Sequence, residues 1–366
     1  MHIAILGTRG IPNNYGGNEQ CAQKISEYFV KKGNSVTVYC PDDHPYAETV
    51  WNGIALRRVF AHEKHVGIWG TFTYDYLCLR DAAARDYDII LELGYVPAAC
   101  FYDRIARRRP IVTNMDGLEW ARGKWNRALR RFAKYCERTA AMRSTALIAD
   151  NEGIRQYLMR TYSKQRTLIP YGAELLEAPQ EKHLAAFTLA PRGYYLLIAR
   201  LEPENNIECV LDGYLASGAR EPFVIIGSPK TPYGRNVLRR KYARHDKIIF
   251  AGAIYDYAVL GSLRHFAKIY FHGHSVGGTN PSLLEAMAAG AHIASFEVEF
   301  NRYVLREQAM YFSNSDDVRD LINNYNGRDR ARHTETNRNK IKDIYTWENV
   351  SQKYLEVFSG VVRDYR

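Results

Sequence analysis

Several protein classes are excluded by what the sequence lacks. No apolar run approaches the roughly 20 residues that a membrane-spanning helix needs. The opening MHIAILG has no basic stretch leading into an apolar core, so it reads as a first strand and not as an export signal. The six cysteines, Cys21, Cys40, Cys78, Cys100, Cys136 and Cys209, are scattered, with no C-x-x-C pair and no zinc spacing. They read as buried free thiols of a chain kept in the reducing cytoplasm. Short-period repeats and low-complexity tracts are missing too, which argues against solenoids and flexible tails.

What is present fits a soluble globular protein. A length of 366 residues is too great for one typical core and implies about two domains. Hydrophobic content of 46% and charged content of 25% are ordinary. The net charge of +10 is concentrated. One cluster is Arg104, Arg107, Arg108 and Arg109; a second runs through Arg122, Lys124, Arg127, Arg130, Arg131, Lys134, Arg138 and Arg143. A solvated helix face is one reading. Attraction to an anionic membrane surface or a lipid-diphosphate acceptor is the other. Nucleic acid is disfavoured: no recognition module is evident, and Trp120, Trp125, Phe132 and Tyr135 fit helix packing.

Short β-rich runs alternate with helical patterns from end to end, which implies α/β architecture with parallel sheets covered on both faces. Expected strands are 3–6, 35–40, 55–60, 89–93, 111–114, 146–149 and 168–170. The segment 175–191 reads as a linker. A second set follows at 194–199, 223–226, 248–250, 269–272, 293–296 and 310–312. Expected helices include 18–32, 71–85, 124–143, 204–216, 234–243, 257–266, 282–289, 318–326, 329–344 and 347–362. The chain thus divides into a domain over 1–175 and a second over 192–346, each a doubly wound sheet. Ligands of such sheets bind outside the carboxyl ends of the strands.

Four loops there carry chemistry. Gly7-Thr-Arg-Gly-Ile-Pro-Asn-Asn-Tyr-Gly-Gly-Asn-Glu19 follows the first strand, too long and wrongly spaced for a dinucleotide fingerprint. Gly16 and Gly17 would let backbone N–H groups approach a phosphate or sugar. Asp116, before Gly117, is placed to project from the loop after the fifth strand, with Glu92 and Tyr95 as weaker companions. Arg200 leaves the first strand of the second domain, where a guanidinium can bind a diphosphate bidentately. The fourth is His272-Gly-His-Ser-Val-Gly-Gly-Thr-Asn-Pro-Ser-Leu-Leu-Glu-Ala-Met287. Asn280 reads as an N-cap and Pro281 as the first helical residue. The N–H groups of Gly278, Thr279 and Ser282, with the Thr279 and Ser282 hydroxyls, would cradle a diphosphate at the positive helix end. A cap bond from Asn280 to Leu283 N–H would take one further donor. Glu285, one turn in, would accept bonds from sugar hydroxyls.

Together these pieces resemble retaining glycosyltransferases of family 4, with the GT-B fold of two Rossmann-like domains facing across a cleft. Within that group the chain is similar to the branch of rhamnosyltransferases of bacterial polysaccharide synthesis. Tyr15-Gly-Gly-Asn-Glu19, Asn114-Met-Asp-Gly-Leu-Glu-Trp120, Ile169-Pro-Tyr-Gly-Ala-Glu174, Ala199-Arg-Leu-Glu-Pro-Glu-Asn-Asn206, Gly273 to Met287 and Tyr345-Thr-Trp-Glu348 carry the likeness across nearly the whole length. The resemblance implies catalytic roles near the donor for Asp116, Arg200 and Glu285. Gly16, Gly17, Asn205, His274, Gly278, Thr279, Asn280 and Ser282 join Arg200 and Glu285 in donor binding. It also implies that the helix from Trp347 through residue 366 packs back on the first domain. Two departures stand out. Gly277 occupies the position of an expected sugar-contacting glutamate, with His274 as the candidate substitute. Asn205 occupies that of a diphosphate-binding lysine, with Lys230 or Arg235 as candidate replacements.

The expected reaction is transfer of a hexose or deoxyhexose, rhamnose favoured, from a nucleoside-diphosphate sugar to a glycan or lipid-linked acceptor. Configuration would be retained, and neither a metal nor another cofactor would be needed; the sequence reads as lacking a D-x-D motif. Localisation would be cytoplasmic, with peripheral contact at the inner membrane face. A nucleotide-sugar epimerase and a non-catalytic sugar sensor are the alternatives.

Overall fold

The computed structural model describes every residue except 15, 62–67, 106–108, 122–124, 163–165, 229–230 and 366. The chain forms two compact units: Met1–Tyr171 with Trp347–Arg366, and Gly172–Thr346.

The first unit is built on an eight-stranded sheet. Its strands are β1 (His2–Leu6), β2 (Ser35–Pro41), β3 (Val50–Trp51), β4 (Ile54–Val59), β5 (Ile89–Leu93), β6 (Ile111–Asn114), β7 (Ala146–Ala149) and β8 (Arg166–Leu168). They lie in the order β3-β4-β2-β1-β5-β6-β7-β8. All pairs are parallel except the β3/β4 hairpin. The helices include α1 (Gly17–Lys31), α2 (Ile68–Ala83), α3 (Arg127–Arg143) and α4 (Glu152–Thr161). Helix α3 starts later than its amphipathic pattern suggests, because the Asn126 side chain accepts the Leu129 N–H at 2.9 Å and caps it there. Strand β8 lies two residues earlier than expected, since Pro170 has no N–H to give to a ladder. The hairpin was not anticipated. Its signal was the Asn52-Gly53 pair, which adopts φ 47° and 80° at the turn.

The second unit has six parallel strands in the order β11-β10-β9-β12-β13-β14. They are β9 (Tyr195–Ile198), β10 (Phe223–Ile226), β11 (Ile248–Gly252), β12 (Ile269–His272), β13 (Ile293–Phe296) and β14 (Met310–Phe312). The helices include α5 (Ile207–Ser217), α6 (Tyr257–Phe266), α7 (Pro281–Ala288), α8 (Glu299–Leu305), α9 (Ser315–Asn323) and α10 (Arg330–Asp343). Tyr195, Tyr214, Phe223 and Phe271 pack ring against ring in its core. The helix expected over 204–216 is interrupted: Asn206 is left-handed at φ 49°, so a short 3-10 turn at Pro203–Asn205 precedes α5. Residues 175–191, read as a linker, pack within this unit. Leu176 is buried, and both the Gln180 N–H and His183 Nδ1 meet Ser262 Oγ at 3.1 Å. The last helix, α11 (Trp347–Tyr365), belongs to the first unit. There Asn114 Nδ2 donates to the Tyr354 hydroxyl at 2.9 Å, and Phe358 meets Phe29 edge-on at 5.6 Å. Burying each such aromatic contributes about 1.5–3 kcal/mol.

All six cysteines are free thiols, four of them buried. Among the described residues no helix is long and apolar enough to cross a membrane.

Each sheet has one switch point, where successive strands run off in opposite directions: β1 with β5, and β9 with β12. A crevice opens at the carboxyl ends of such a pair. At the first, Gly7 has φ +76°, and a Cβ there would lie 2.4 Å from the Leu93 carbonyl oxygen. Gly7→Ala is therefore expected to cost about 2–3 kcal/mol through left-handed strain and backbone overlap. Urea unfolding checks this; a midpoint equal to wild type would refute it.

Candidate functional site

At the second switch point the loops after β9 and β12 are laced together. Asn206 Nδ2 donates to Gly273 O at 2.8 Å. Ser275 gives its N–H (3.1 Å) and its hydroxyl (2.8 Å) to Glu204 O. The approach is so close that a Cβ on Gly273 would stand 2.1 Å from Asn205 O. Arg200 emerges from β9 into this region. Its side chain is exposed and makes no hydrogen bond or ion pair with any described residue. Asn205, expected to meet the donor, is buried, and its Nδ2 donates to Arg200 O at 2.7 Å. That side-chain N–H fixes the peptide that carries Arg200. Arg235 is exposed at the start of a π turn over Gly234–Leu238, and Lys230 lies outside the described residues.

Pro281 opens α7, and the Asn280 side chain caps it, though on a different donor from the one expected. Asn280 Oδ1 accepts the Ser282 N–H at 2.9 Å. The Leu283 N–H goes to Asn280 O at 3.0 Å. The reason is local: after a proline at the first position, the next amide is the nearest donor. The Ser282 amide is thus consumed, while the Gly278 and Thr279 amides take no part in the cap. Nor is the Ser282 hydroxyl outward-facing; it meets Arg264 Nη2 at 3.1 Å and the Tyr270 hydroxyl at 3.0 Å. Gly277 has φ +130° with open space where a Cβ would stand. A glutamate there would have room but a strained backbone.

Glu285 is held from beneath. Arg264 on α6 reaches its Oε2 at 2.6 Å; the two side chains are 2% and 19% exposed. Burial disfavours the guanidinium charge, but the Glu285 carboxylate beside it more than compensates, so Arg264 stays protonated. Its Nε and Nη1 have no protein partner. Buried alongside is His272, also without a partner on either ring nitrogen, and stacked on His274 at 4.4 Å. Burial, then His274 and Arg264, hold His272 well below the usual imidazole range, so it is neutral. Asn301 Nδ2 bonds His274 O at 3.0 Å and ties α8 to the turn. Sequence reading missed Arg264. A lone arginine in a helical pattern looks like a solvated position, and only its contact with Glu285 reveals otherwise.

In the first unit the β1–α1 loop hangs from α1. Gly16 is the N-cap residue, with no side-chain cap, and Gly17 begins the helix. Buried Glu19 accepts the Arg9 N–H at 2.8 Å, and Gln23 accepts the Asn13 N–H at 2.8 Å. Asp116 is half-buried after β6. Its charge helps to raise the Cys21 thiol and the Tyr171 phenol, after burial itself, which places it near the start of α1. Tyr171 donates to Asn18 Oδ1 at 2.6 Å in the same region. Glu92, at the end of β5, is buried with Oε2 unpartnered; burial first, then Asp75, push its carboxyl well above the usual range. One literal D-x-D triplet does occur, Asp86-Tyr87-Asp88, and corrects the reading that none is present. It precedes β5, at the amino end of the strand. Asp86 pairs with Arg109 at 2.7 Å and Asp88 accepts the His2 N–H at 2.8 Å.

One family description, a domain of unknown function (DUF1972), matches residues 1–174. No match is found among curated proteins. Solved structures resemble the chain over almost its full length. Sucrose-phosphate synthase from Thermosynechococcus elongatus superposes with a TM-score of 0.81 at 16% identity, covering 99% of each chain. Anabaena HepE in complex with UDP-glucose gives 0.75 at 13%, covering 98% of this chain and 100% of that one. The trehalose-6-phosphate synthase OtsA gives 0.76 at 11%, covering 98% and 99%. The chain has the GT-B fold.

Two predictions follow from the buried charges. Glu285→Gln leaves Arg264 buried and unpaired, so it should destabilise the fold by about 2–3 kcal/mol as well as impair any ligand contact. Arg264→Met combined with Glu285→Gln should recover most of that loss. A thermal-melt cycle without recovery would remove the pairing. For Glu92 the native pKa lies above the unfolded one. Its stabilising contribution is full below the usual carboxyl range and is lost as pH rises toward the native value. Glu92→Gln should flatten the fall in stability as pH rises above the usual carboxyl range, measured by urea unfolding; an unchanged slope refutes this.

Proposed function

We propose that the protein is a retaining hexosyltransferase, independent of metal or other cofactor. It moves a hexose or deoxyhexose, rhamnose favoured, from a nucleoside-diphosphate sugar to a hydroxyl of a glycan or lipid-linked acceptor. The observation that carries the reading is Arg200. It is an exposed guanidinium without a carboxylate partner, and its loop is bonded to the turn that leads into the N-terminus of α7. A free cation beside an N-terminal helix end suits a diphosphate. Glu285, one turn further, suits the ribose hydroxyls, with one oxygen already fixed by Arg264. The HepE structure in complex with UDP-glucose supports the donor class.

In this reading the anomeric C–O bond to the diphosphate breaks while the acceptor oxygen bonds to that carbon from the same face. The acceptor proton passes to the leaving diphosphate. Arg200 and the Gly278 and Thr279 amides stabilise the charge developing there. His274 takes the sugar contact left open at Gly277. Gly16 and Gly17 are assigned to the donor phosphate or the acceptor, and Asp116 to the transferred sugar. A lipid-linked acceptor fits the exposed face of α3, where Arg127, Arg130, Arg131 and Arg138 alternate with Tyr135 and Met142, the last two 52% and 58% exposed. The chain would then work in the cytoplasm, at the inner face of the membrane.

The test is incubation with uridine, thymidine and guanosine diphosphate sugars, with and without a lipid-linked acceptor. Release of nucleoside diphosphate that needs the acceptor is expected; conversion of the donor into an epimer would overturn the proposal. Arg200→Ala should lower turnover roughly 10²–10³-fold. Its melting temperature should stay unchanged, because the side chain holds nothing in the fold.

A further inference from the structure

At the other end of the second sheet, before the strands begin, lies a cavity of about 520 Å³. Arg192, His265, Arg328, Arg330 and Arg338 line it, and Glu177 is the one carboxylate among its lining residues. The arginines are held by carbonyl oxygens. Arg192 Nη1 donates to Ala267 O at 3.1 Å and also to His265 O. Arg330 donates to Lys268 O at 3.0 Å, His265 O at 3.2 Å and Ala267 O at 3.1 Å. Arg338 Nη1 donates to Leu176 O at 3.1 Å and Ala288 O at 2.8 Å. Arg328 makes no side-chain hydrogen bond or ion pair with any described residue.

The carbonyls belong largely to the carboxyl ends of α6 and α7. Two such ends amount to roughly one negative charge, since each carries about half. With Glu177 that makes about two, against four guanidinium groups. The surplus is about two positive charges, in a cavity of the size that small ligands occupy. The start of α10 does not offset it: its N-cap acid, Asp329, pairs with Arg332 at 2.7 Å and is not among the lining residues. Burial lowers both Arg192 and His265; the Ala289 carbonyl raises His265, and the charges of Arg192 and Arg338 lower it again.

We propose that this cavity is a binding site for a phosphate-bearing anion, separate from the donor site. Guanidinium groups already fixed by carbonyls lose little further freedom on meeting a phosphate, and their remaining N–H groups match its oxygens. The proposal does not depend on the donor assignment, because it uses none of those residues. The anion can come from a free phosphorylated small molecule or from a lipid headgroup.

Inorganic pyrophosphate is the probe, titrated calorimetrically into the full chain, into Arg200→Ala to weaken the donor cradle, and into Arg192→Gln/Arg328→Gln. The Arg200→Ala protein should keep a pyrophosphate site. The double variant should bind roughly tenfold more weakly at that site. Absence of the site in Arg200→Ala, or undiminished affinity in the double variant, overturns the proposal. If the double variant does not fold, Arg328→Gln alone serves, since that side chain supports nothing in the fold; unchanged affinity there is equally decisive. Sedimentation with phosphatidylglycerol vesicles separates the sources. Capture that requires Arg192 and Arg328 assigns a headgroup, and pyrophosphate binding without such capture assigns a free ligand; absence of both overturns the proposal.

Discussion

The second unit depends on how closely two backbone loops approach at the carboxyl ends of β9 and β12. A Cβ at Gly273 would stand 2.1 Å from Asn205 O, so the position admits hydrogen only. The approach lets Asn206 and Ser275 bridge the loops through main-chain carbonyls. Those bridges fix where Arg200 leaves its strand and where the turn enters α7. The cation and the helix end are therefore set by backbone geometry, which side-chain changes elsewhere alter little. Geometry set this way tolerates a wide range of surrounding sequence, consistent with a fold shared at 16% identity or less.

Arg264 ties the same region to stability. A buried guanidinium is costly unless it is paired. Its partner is Glu285, the carboxylate that the functional reading also needs. Function and folding then draw on one ion pair, so loss of activity in a Glu285 variant does not by itself show that Glu285 touches the ligand. The unmade bonds of Arg264 Nε, Arg264 Nη1 and both His272 nitrogens lie under the same turn. A buried polar cluster that the protein alone leaves incomplete is the kind of strain found at ligand sites.

The strands were legible because parallel strands buried on both faces are nearly continuous apolar runs, and nearly all were placed within a few residues. Helix ends were less legible, for reasons specific to single residues. Asn206 breaks an otherwise helical run by turning left-handed, and Asn126 stops α3 short by capping. At the candidate site the sequence identifies which residues stand after the strands, but not how their polar groups are spent. Asn205 turns its amide to a carbonyl, Ser282 loses its amide to Asn280, and Asp86 and Asp88 satisfy partners at the wrong end of β5. None of these choices has a periodic signature, because each depends on a group distant in sequence or on the order of nearby amides.

Charge gives the last step. A net +10 could have been a uniformly solvated surface. Among the described residues of the second unit, the guanidinium groups that lack a carboxylate include Arg200 at the carboxyl end of the sheet and the cavity arginines at its other end. Other arginines divide: Arg302 pairs with Glu297 at 2.6 Å and Arg319 with Asp316 at 2.7 Å, while Arg220, Arg239, Arg240, Arg244 and Arg306 make no ion pair with any described residue. At Arg200 the guanidinium is exposed and free to move, which suits a diphosphate that must leave after reaction. In the cavity below, three of the four are pinned by helix-end carbonyls, which suits an anion that stays. In the two proposals the same chemical group serves turnover at one end of the sheet and retention at the other, and the difference lies in what holds the arginine.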